Sequence, residues 1–220
     1  MMEMITVISH MKDIRNTIVD RIRQKCVAVL LCAVSVALLT TGCKEATEPS
    51  FDYHEFRDSN GPYLMVIGYH NIERNMVIPN EHEGAPILYI YDKLFELNTY
   101  IETLDIGGIT EIHDGAFNCC TNLRSVNLRN VEEIHKIAFR GCSSLEQVVF
   151  PATLREIRDG AFANCEKLKN VYFLGEPKIM GQNIFDRGVT IYGLPGSTVE
   201  KYAKEYGYRF IELTELPEYT

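Results

Sequence analysis

Four cysteines in the second half of the chain could offer thiolate chemistry. Cys120, Cys142 and Cys165 recur at intervals of 22 and 23 residues, and Cys119 precedes the first of them. A zinc site needs four ligands that converge on one point, and the sequence contains no Cys-x-x-Cys pair. We therefore expect the three regularly spaced thiols to be small buried side chains. Disulfides are not expected, because equivalent positions of a repeat point in parallel directions. Only Cys119 is expected at the surface.

Two histidines share another position of the same interval. His113 and His135 lie 22 residues apart, and Arg158 follows 23 residues later. Side chains stacked at this spacing would lie about 5 Å apart, close enough for adventitious metal binding or a pH response. Arg158 places a cation where a third ligand would be needed. The sequence therefore predicts no resident metal and no cofactor.

The carboxylates and hydroxyls form no recognisable catalytic group. Asp114-Gly115 and Asp159-Gly160 are typical of turns in which the aspartate bonds its own backbone. The chain has no glycine-rich phosphate loop, no Gly-x-Ser-x-Gly elbow and no His-Glu-x-x-His helix. Missing motifs do not exclude catalysis, but they leave no catalytic residue to name. The sequence favours a binding protein over an enzyme.

An internal repeat positions these residues. Three copies align on Phe117, Phe139 and Phe162. In each copy an isoleucine lies five residues before the phenylalanine and an alanine directly before it, while the cysteine follows three residues later and a leucine six residues later. A degenerate copy begins at Ile90, and a truncated copy follows at Ile184. The Leu-x-x-Val-x-Leu pattern predicts a short strand, the Ala-Phe-x-x-Cys-x-x-Leu pattern predicts a helical turn, and the regular interval predicts parallel stacking of successive copies.

These residues resemble the repeat of the BspA-like leucine-rich-repeat surface proteins, whose hallmark is Ile-Gly-x-x-Ala-Phe-x-x-Cys-x-x-Leu. The resemblance extends over about residues 61–213 and recurs in register. It implies an α/β fold, a short right-handed leucine-rich-repeat solenoid with a parallel strand sheet, and a role in adhesion or protein binding. The chain departs from the hallmark at its glycine, which is replaced by His113, His135 and Arg158.

The repeats occupy residues 87–192. The two segments that precede them are expected to form a tether and a cap. Residues 61–86 are predicted to be an N-terminal cap, a β-hairpin with strands at residues 63–69 and 75–78. Residues 44–60 are polar and acidic, and we expect them to be a tether.

The segment after the repeats, residues 193–220, is predicted to be a C-terminal cap of one helix and one strand. Ser197 and Glu200 have the spacing of a capping box. The helix should run to Gly207 and bury one face that includes Tyr206, and a last strand should follow.

Residues 1–43 are typical of an export signal. A basic segment from Met11 onward precedes the uncharged residues 26–42 and then Cys43, the order of a signal peptide with a small-residue cleavage site. The segment resembles a bacterial lipoprotein signal, although Thr40 replaces the usual aliphatic residue. This resemblance implies that Cys43 is acylated and anchors the mature protein to the outer membrane, exposed at the surface. A plain secreted protein and an uncleaved membrane anchor are the alternatives.

The charge of the chain limits its partners. Removal of residues 1–42 leaves 17 basic and 27 acidic residues, a net charge near −10 that disfavours nucleic acid as a partner.

The side chains expected to point outward from the strands form a candidate binding surface, which we call the polar strip. Its members are Thr103, Asp105, Ser125, Asn127, Gln147, Val149, Asn170 and Tyr172.

The polar strip is expected to bind a host or bacterial protein, because it mixes amide and hydroxyl groups with the aromatic Tyr172. A glycan is the alternative ligand. An enzyme and a structural envelope protein with an inert strip are further alternatives.

Overall fold

The computed structural model describes residues 50–214, which form a β-solenoid of about seven turns. Successive turns stack in parallel, as the interval of 22 to 23 residues predicts. The parallel solenoid expected from the sequence is therefore confirmed.

One stack of strands carries the alternating Leu and Val pattern. Neighbouring strands pair in register, so that Leu104 lies beside Val126 and Val148 lies beside Val171. The strands of this stack are β3 (Asn75–Val77), β6 (Thr103–Asp105), β8 (Ser125–Asn127), β10 (Gln147–Phe150), β12 (Asn170–Phe173), β14 (Thr190–Gly193) and β15 (Arg209–Glu212). The stack is split into a sheet β3-β6-β8 and a sheet β10-β12-β14-β15.

The second stack consists of shorter strands that begin each repeat. Each of its two-residue strands that starts a full repeat buries an isoleucine and points a glutamate outward, as at Glu111 and Ile112. The strands are β5 (Ala85–Ile90), β7 (Glu111–Ile112), β9 (Glu133–Ile134), β11 (Glu156–Ile157) and β13 (Ile179–Met180). At the N-terminal end this sheet continues into β2 (Gly61–His70) and β1 (Ser50–Asp58), and β4 (Glu81–His82) pairs with β5.

The segment expected to be a helical turn is a chain of tight turns. The amide of Cys120 donates to the carbonyl of Phe117 within the same repeat (3.2 Å), whereas the amide of Phe117 donates to Ala138 of the next repeat (2.8 Å). The amide of Phe139 donates to Ala161 in the same way (2.8 Å). A helix would direct its interior amides to its own carbonyls. Here every second amide donates to a carbonyl of the next turn, so the hydrogen bonds of this segment depend on the stacking of the turns.

A column of stacked phenylalanines forms the centre of the core. Phe95, Phe117, Phe139 and Phe162 are all fully buried. Consecutive ring centroids lie 5.0, 5.1 and 5.0 Å apart, with nearly parallel planes. Each ring therefore packs against the equivalent ring of both neighbouring turns, so that the turns stabilise one another.

The regularly spaced cysteines are buried and unpaired, as the sequence predicts. Each thiol donates to a phenylalanine carbonyl of the preceding turn, from Cys120 to Phe95 (3.2 Å), from Cys142 to Phe117 (3.3 Å) and from Cys165 to Phe139 (3.2 Å). Burial raises the pKa of Cys120 to about 12, which keeps this thiol protonated and unreactive near neutral pH. Cys119 is half-buried.

The two Asp-Gly turns differ from the prediction in one respect. Asp114 accepts a hydrogen bond from the amide of Lys136 (3.0 Å), and Asp159 accepts one from Gln182 (2.8 Å). The expectation that each aspartate bonds its own backbone is therefore wrong, because each carboxylate links two turns. Gly115, at φ +64°, supplies the left-handed residue that this turn requires.

The N-terminal cap differs from the expected hairpin. β1 pairs with β2 in antiparallel register from Ser50–His70 to Asp58–Gly61, so residues 50–58 of the predicted tether form a strand. Residues 75–77 do not return to β2 but pair in parallel with β6. The predicted strands at residues 63–69 and 75–78 are present as β2 and β3, but the predicted pairing between them is wrong, because β3 belongs to the stack. The hairpin of the cap is formed by β1 and β2. Residues 44–49 lie outside the described residues.

The C-terminal cap consists of α1 (Thr198–Tyr206) and β15. Ser197 accepts a hydrogen bond from the amide of Glu200 (3.3 Å), and Gly207 ends the helix in the left-handed conformation. Tyr202 is buried, whereas Tyr206, which was expected on the same buried face, is 37% exposed. Within residues 50–214, no helix is long and apolar enough to cross a membrane.

Candidate binding surface

The first strand stack presents two columns of outward side chains because side chains alternate along a strand. The sequence-predicted polar strip lies on this surface. One column contains Thr103, Ser125, Gln147 and Asn170, and the other contains Asp105, Asn127, Val149 and Tyr172. The in-register pairing brings equivalent residues of neighbouring turns together. The strands therefore align the predicted residues in two rows within each of the two sheets of this stack.

Hydrogen bonds between turns hold the N-terminal half of the polar strip. Thr103 donates to the side chain of Asn75 (2.9 Å). Asp105 accepts from both Asn127 (3.2 Å) and Arg129 (2.6 Å). These side chains therefore already use part of their hydrogen-bonding capacity on one another. Any ligand in this half would compete with internal bonds or use the side chains in their present positions.

An aromatic pair dominates the C-terminal half. The rings of Tyr172 and Tyr192 stack with centroids 4.5 Å apart and planes inclined by 18°, and both residues are half-exposed. Burial raises the pKa of the Tyr172 hydroxyl, with a contribution from Tyr192. The Tyr172 phenol is therefore neutral near neutral pH, and each of the two residues presents a flat apolar ring with a polar tip.

Val149 is a correction to the predicted strip. It is paired in register with Tyr172 but is only 8% exposed. Its side chain therefore offers little surface to a ligand, and its assignment to the exposed strip is wrong. The alternation rule places Val149 on the outward side of the strand correctly but cannot say how much its neighbours cover it.

Charges of alternating sign line one edge of the polar strip. Arg74, Glu102, Arg124, Glu146 and Lys169 come from five successive turns. The backbone amides of Glu102, Arg124 and Lys169 donate to the residue before them in this column. Arg74 also forms an ion pair with Glu102 and lies 5.3 Å from the centre of the Tyr100 ring. Because the signs alternate, this edge has no strong field that would select a polyanion or a polycation.

Two open depressions lie on the same surface. One, of about 430 Å³, is lined by β3, β6 and β8 and includes Val77 and Asn127. The other, of about 980 Å³, is lined by Ser125, Gln147 and Asn170 together with charged residues of the edge. Seven of the eight predicted strip residues are at least partly exposed, and six of those seven line a depression.

Tyr192 is the principal residue that sequence reasoning missed. The truncated last repeat aligns only as far as Ile191, so its next residue receives no place in the strip. Ile191 is buried, and the alternation of a strand would therefore have predicted that Tyr192 points outward. Its pairing with Tyr172 extends the surface by one turn.

A separate group of residues has the ligand types of a metal site. Glu111, His113 and His135 each bring one donor atom within 4.8 Å of the others. They lie on the second strand stack rather than on the polar strip. The spacing of the two histidines is apparent from the sequence, but the sequence does not show that Glu111 lies beside them.

Comparison with known proteins agrees with this architecture. The sequence profile described as "BspA type Leucine rich repeat region" matches residues 74–191 in six copies. No curated protein sequence matches the chain. The solved structures that resemble it include a leucine-rich repeat protein from Bacteroides capillosus, which is 22% identical with a TM-score of 0.47 and aligns over 56% of this chain and 94% of that one.

Two further structures are similar. The T. pallidum leucine rich repeat protein is 18% identical with a TM-score of 0.43, over 73% of this chain and 95% of that one. A leucine rich cell surface protein from Faecalibacterium prausnitzii is 21% identical with a TM-score of 0.46, over 73% of this chain and 46% of that one. The family profile matches more than half of the sequence in the repeats that form the stacked turns, and the chain therefore belongs to the BspA-type leucine-rich repeat family.

Proposed function

We propose that this protein is a non-catalytic interaction module displayed on the bacterial surface, and that it holds a protein partner on the polar strip extended by Tyr192. BspA-type repeats occur in bacterial cell-surface proteins and imply a protein-interaction module. The observation that carries the proposal is the half-exposed Tyr172–Tyr192 stack on a largely polar surface. Tyrosine is enriched among the residues that contribute most to protein interfaces.

The dimensions of the surface suit a protein better than a small ligand. Seven strands at about 4.8 Å spacing extend for about 29 Å, and the depressions on them are open. A standard protein interface covers about 800 Å² on each partner, so a partner would also contact the alternating charges at the edge. An aromatic centre with a polar, charged edge is the usual anatomy of such an interface.

A glycan is the second candidate, and the same tyrosine pair supports it. A flat, neutral aromatic face surrounded by Asn170, Gln147 and other hydrogen-bonding groups could also support a sugar ring. The acidic balance of the chain favours a neutral glycan over a strongly anionic one.

Replacement of Tyr172 by alanine is expected to weaken partner binding by about 30-fold, equivalent to about 2 kcal/mol at an aromatic hot spot. The melting temperature should change little, because the side chain is not part of the phenylalanine core. Binding of the purified chain to a panel of bacterial and host surface proteins and to a glycan array would measure the effect. Tyr192→Ala should act in the same direction.

Tyr206→Ala is the matched control, because Tyr206 is 37% exposed and lies on α1, outside the polar strip and its charged edge. Equal affinity of the wild type and both strip variants for every bound partner would exclude the strip as the binding surface. Selective binding to glycans, lost in Tyr172→Ala, would establish the second candidate.

We further propose that Cys43 carries a lipid that anchors the protein to the outer membrane, facing the exterior. Cys43 and the export signal lie outside the described residues, so the sequence pattern alone supports this proposal. Cys43→Ser should move the protein from the membrane fraction to the soluble fraction, as immunoblotting of fractionated cells would detect. A variant that remains entirely in the membrane fraction would indicate an uncleaved anchor instead.

A further inference from the structure

Two columns of polar side chains cover the outward face of the second strand stack. Glu111 pairs in register with Glu133, which pairs with Glu156. Two residues later along each turn lie His113, His135 and Arg158. The histidine rings stack with centroids 4.9 Å apart and planes inclined by 12°. A column of carboxylates thus runs beside a column of nitrogen bases.

Donor atoms of both columns converge at one point. The Oε2 atom of Glu111 lies 3.7 Å from Nε2 of His113 and 3.9 Å from Nε2 of His135. An oxygen of Glu133 lies 3.8 Å from the same nitrogen of His135. Two ligands placed tetrahedrally around a zinc ion at about 2.1 Å would be about 3.4 Å apart. The three nitrogen–oxygen distances exceed this value by about 0.3 to 0.5 Å, and the donor atoms of Glu111, His113 and His135 all lie within 4.8 Å of one another.

The other ring nitrogens face carboxylates of the preceding turn. His113 Nδ1 lies 3.7 Å from Asp92, and His135 Nδ1 lies 3.9 Å from Asp114. Metal-bound histidines commonly direct their second nitrogen to a carboxylate, which fixes the proton on that nitrogen and leaves the first free to bind the ion. The same arrangement occurs twice here, once for each ring.

Nε2 of His135 has no hydrogen-bond partner among the described residues although it is inaccessible to solvent. A buried polar atom of this kind costs free energy unless something binds it. In the neutral imidazole, this nitrogen can offer its lone pair to a metal ion.

Arg158 lies beside this group of donor atoms and pairs mainly with Glu156. Its Nε atom lies 2.6 Å from Glu156, and its nearest approach to Glu133 is 3.9 Å. The Glu133 carboxylate lies between those of Glu111 and Glu156 on the neighbouring strands, and a divalent cation would relieve the repulsion among them. Arg158 therefore does not rule out a site, because Glu111 of the adjacent column can supply the third ligand that the histidine column lacks.

We propose that Glu111, His113 and His135 form a binding site for a divalent transition-metal ion of the zinc class, with Glu133 or water as the fourth ligand. Imidazole nitrogens and a carboxylate oxygen are the donors that such ions prefer. The site joins two neighbouring turns, because His113 and Glu111 come from one turn and His135 and Glu133 from the next. Bound metal would therefore clamp β7 to β9.

Zinc titration of the purified, metal-depleted chain tests the proposal. Isothermal titration calorimetry of the wild type should show that zinc binds at one site. Thermal unfolding with zinc should give a higher melting temperature than without it. Co²⁺ bound in place of zinc should give the visible absorption of tetrahedral coordination. Glu111→Gln and His135→Asn should each weaken this site by more than about 100-fold, since even loss of a supporting carboxylate costs about 10- to 100-fold. Asp92→Asn, which removes only such a support, should fall within that smaller range.

Glu111→Gln also separates metal binding from folding. Without metal this variant should melt close to the wild-type temperature, because the lost attraction between Glu111 and His113 offsets the removed repulsion between Glu111 and Glu133. His82→Asn and Cys119→Ser are matched controls that remove a histidine and a thiol outside the site, and both should retain wild-type affinity. Zinc binding that is absent from the wild type, or that survives in both Glu111→Gln and His135→Asn, would overturn the proposal.

Discussion

Phe139→Ala is expected to lower the free energy of unfolding by about 3 to 5 kcal/mol, the usual cost of removing a fully buried phenylalanine. The ring lies between Phe117 and Phe162, at 5.1 and 5.0 Å, so its loss opens a cavity that reaches two neighbouring turns. Each turn is too small to keep its shape alone. Chemical denaturation followed by circular dichroism should therefore show a lower midpoint and a broader transition.

Arg140→Ala is a suitable control, because the adjacent residue is exposed and its replacement should change the unfolding free energy by less than about 0.5 kcal/mol. A loss below about 1 kcal/mol in Phe139→Ala would contradict the idea that the phenylalanine column is shared between turns. Such a result would mean that neighbouring side chains collapse into the cavity without cost.

Deletion of Ser50–Asp58 is expected to destabilise the solenoid by about 2 to 5 kcal/mol and to cause self-association. Phe51 and Tyr53 pack against the core, and Phe56 stacks on Tyr63 at 5.5 Å. Three aromatic side chains that are each about half-buried account for this magnitude. The deletion also leaves the edge of β2 unpaired, and an unpaired strand edge is a template for another chain. Denaturation and size-exclusion chromatography would measure the two effects.

Arg57→Ala, on the same strand but exposed, should leave both measurements close to wild type. If the deletion changes neither the unfolding free energy nor the elution volume, residues 50–58 act as the tether that their polar composition suggests. The experiment therefore decides between the strand in the structure and the expectation from composition.

The two outward surfaces are expected to respond independently to mutation. The tyrosine pair lies on β12 and β14, whereas the histidine and glutamate site lies on β7 and β9. They share no described contact, and substitutions that share no partners usually have additive effects. Loss of zinc affinity in Glu111→Gln should therefore leave any partner binding through Tyr172 intact.

The stacked architecture and its core columns could be predicted from the amino-acid sequence alone. Inward positions are repeated every 22 or 23 residues with the same residue types, at Phe117, Phe139 and Phe162. Burial at equivalent positions of successive turns restricts the size and polarity of the side chains. The same residue types therefore recur along the chain, and the recurrence can be recognised in one sequence. The C-terminal helix was predictable for the same reason, since Ser197, Glu200 and Gly207 are local signals.

Two further features depend on contacts that form when the chain folds. These are the extent to which neighbours cover each outward residue and the pairing of distant segments. The polar composition of residues 50–58 does not reveal that β2 will accept them as a strand, because strand pairing depends on an available edge. The amides near Phe117 form turns because the next turn offers carbonyls at the right distance. Val149 is covered whereas Tyr172 is partly exposed, and Glu111 lies close to two histidines. Both results depend on contacts between neighbouring columns and turns, which a repeat pattern does not encode.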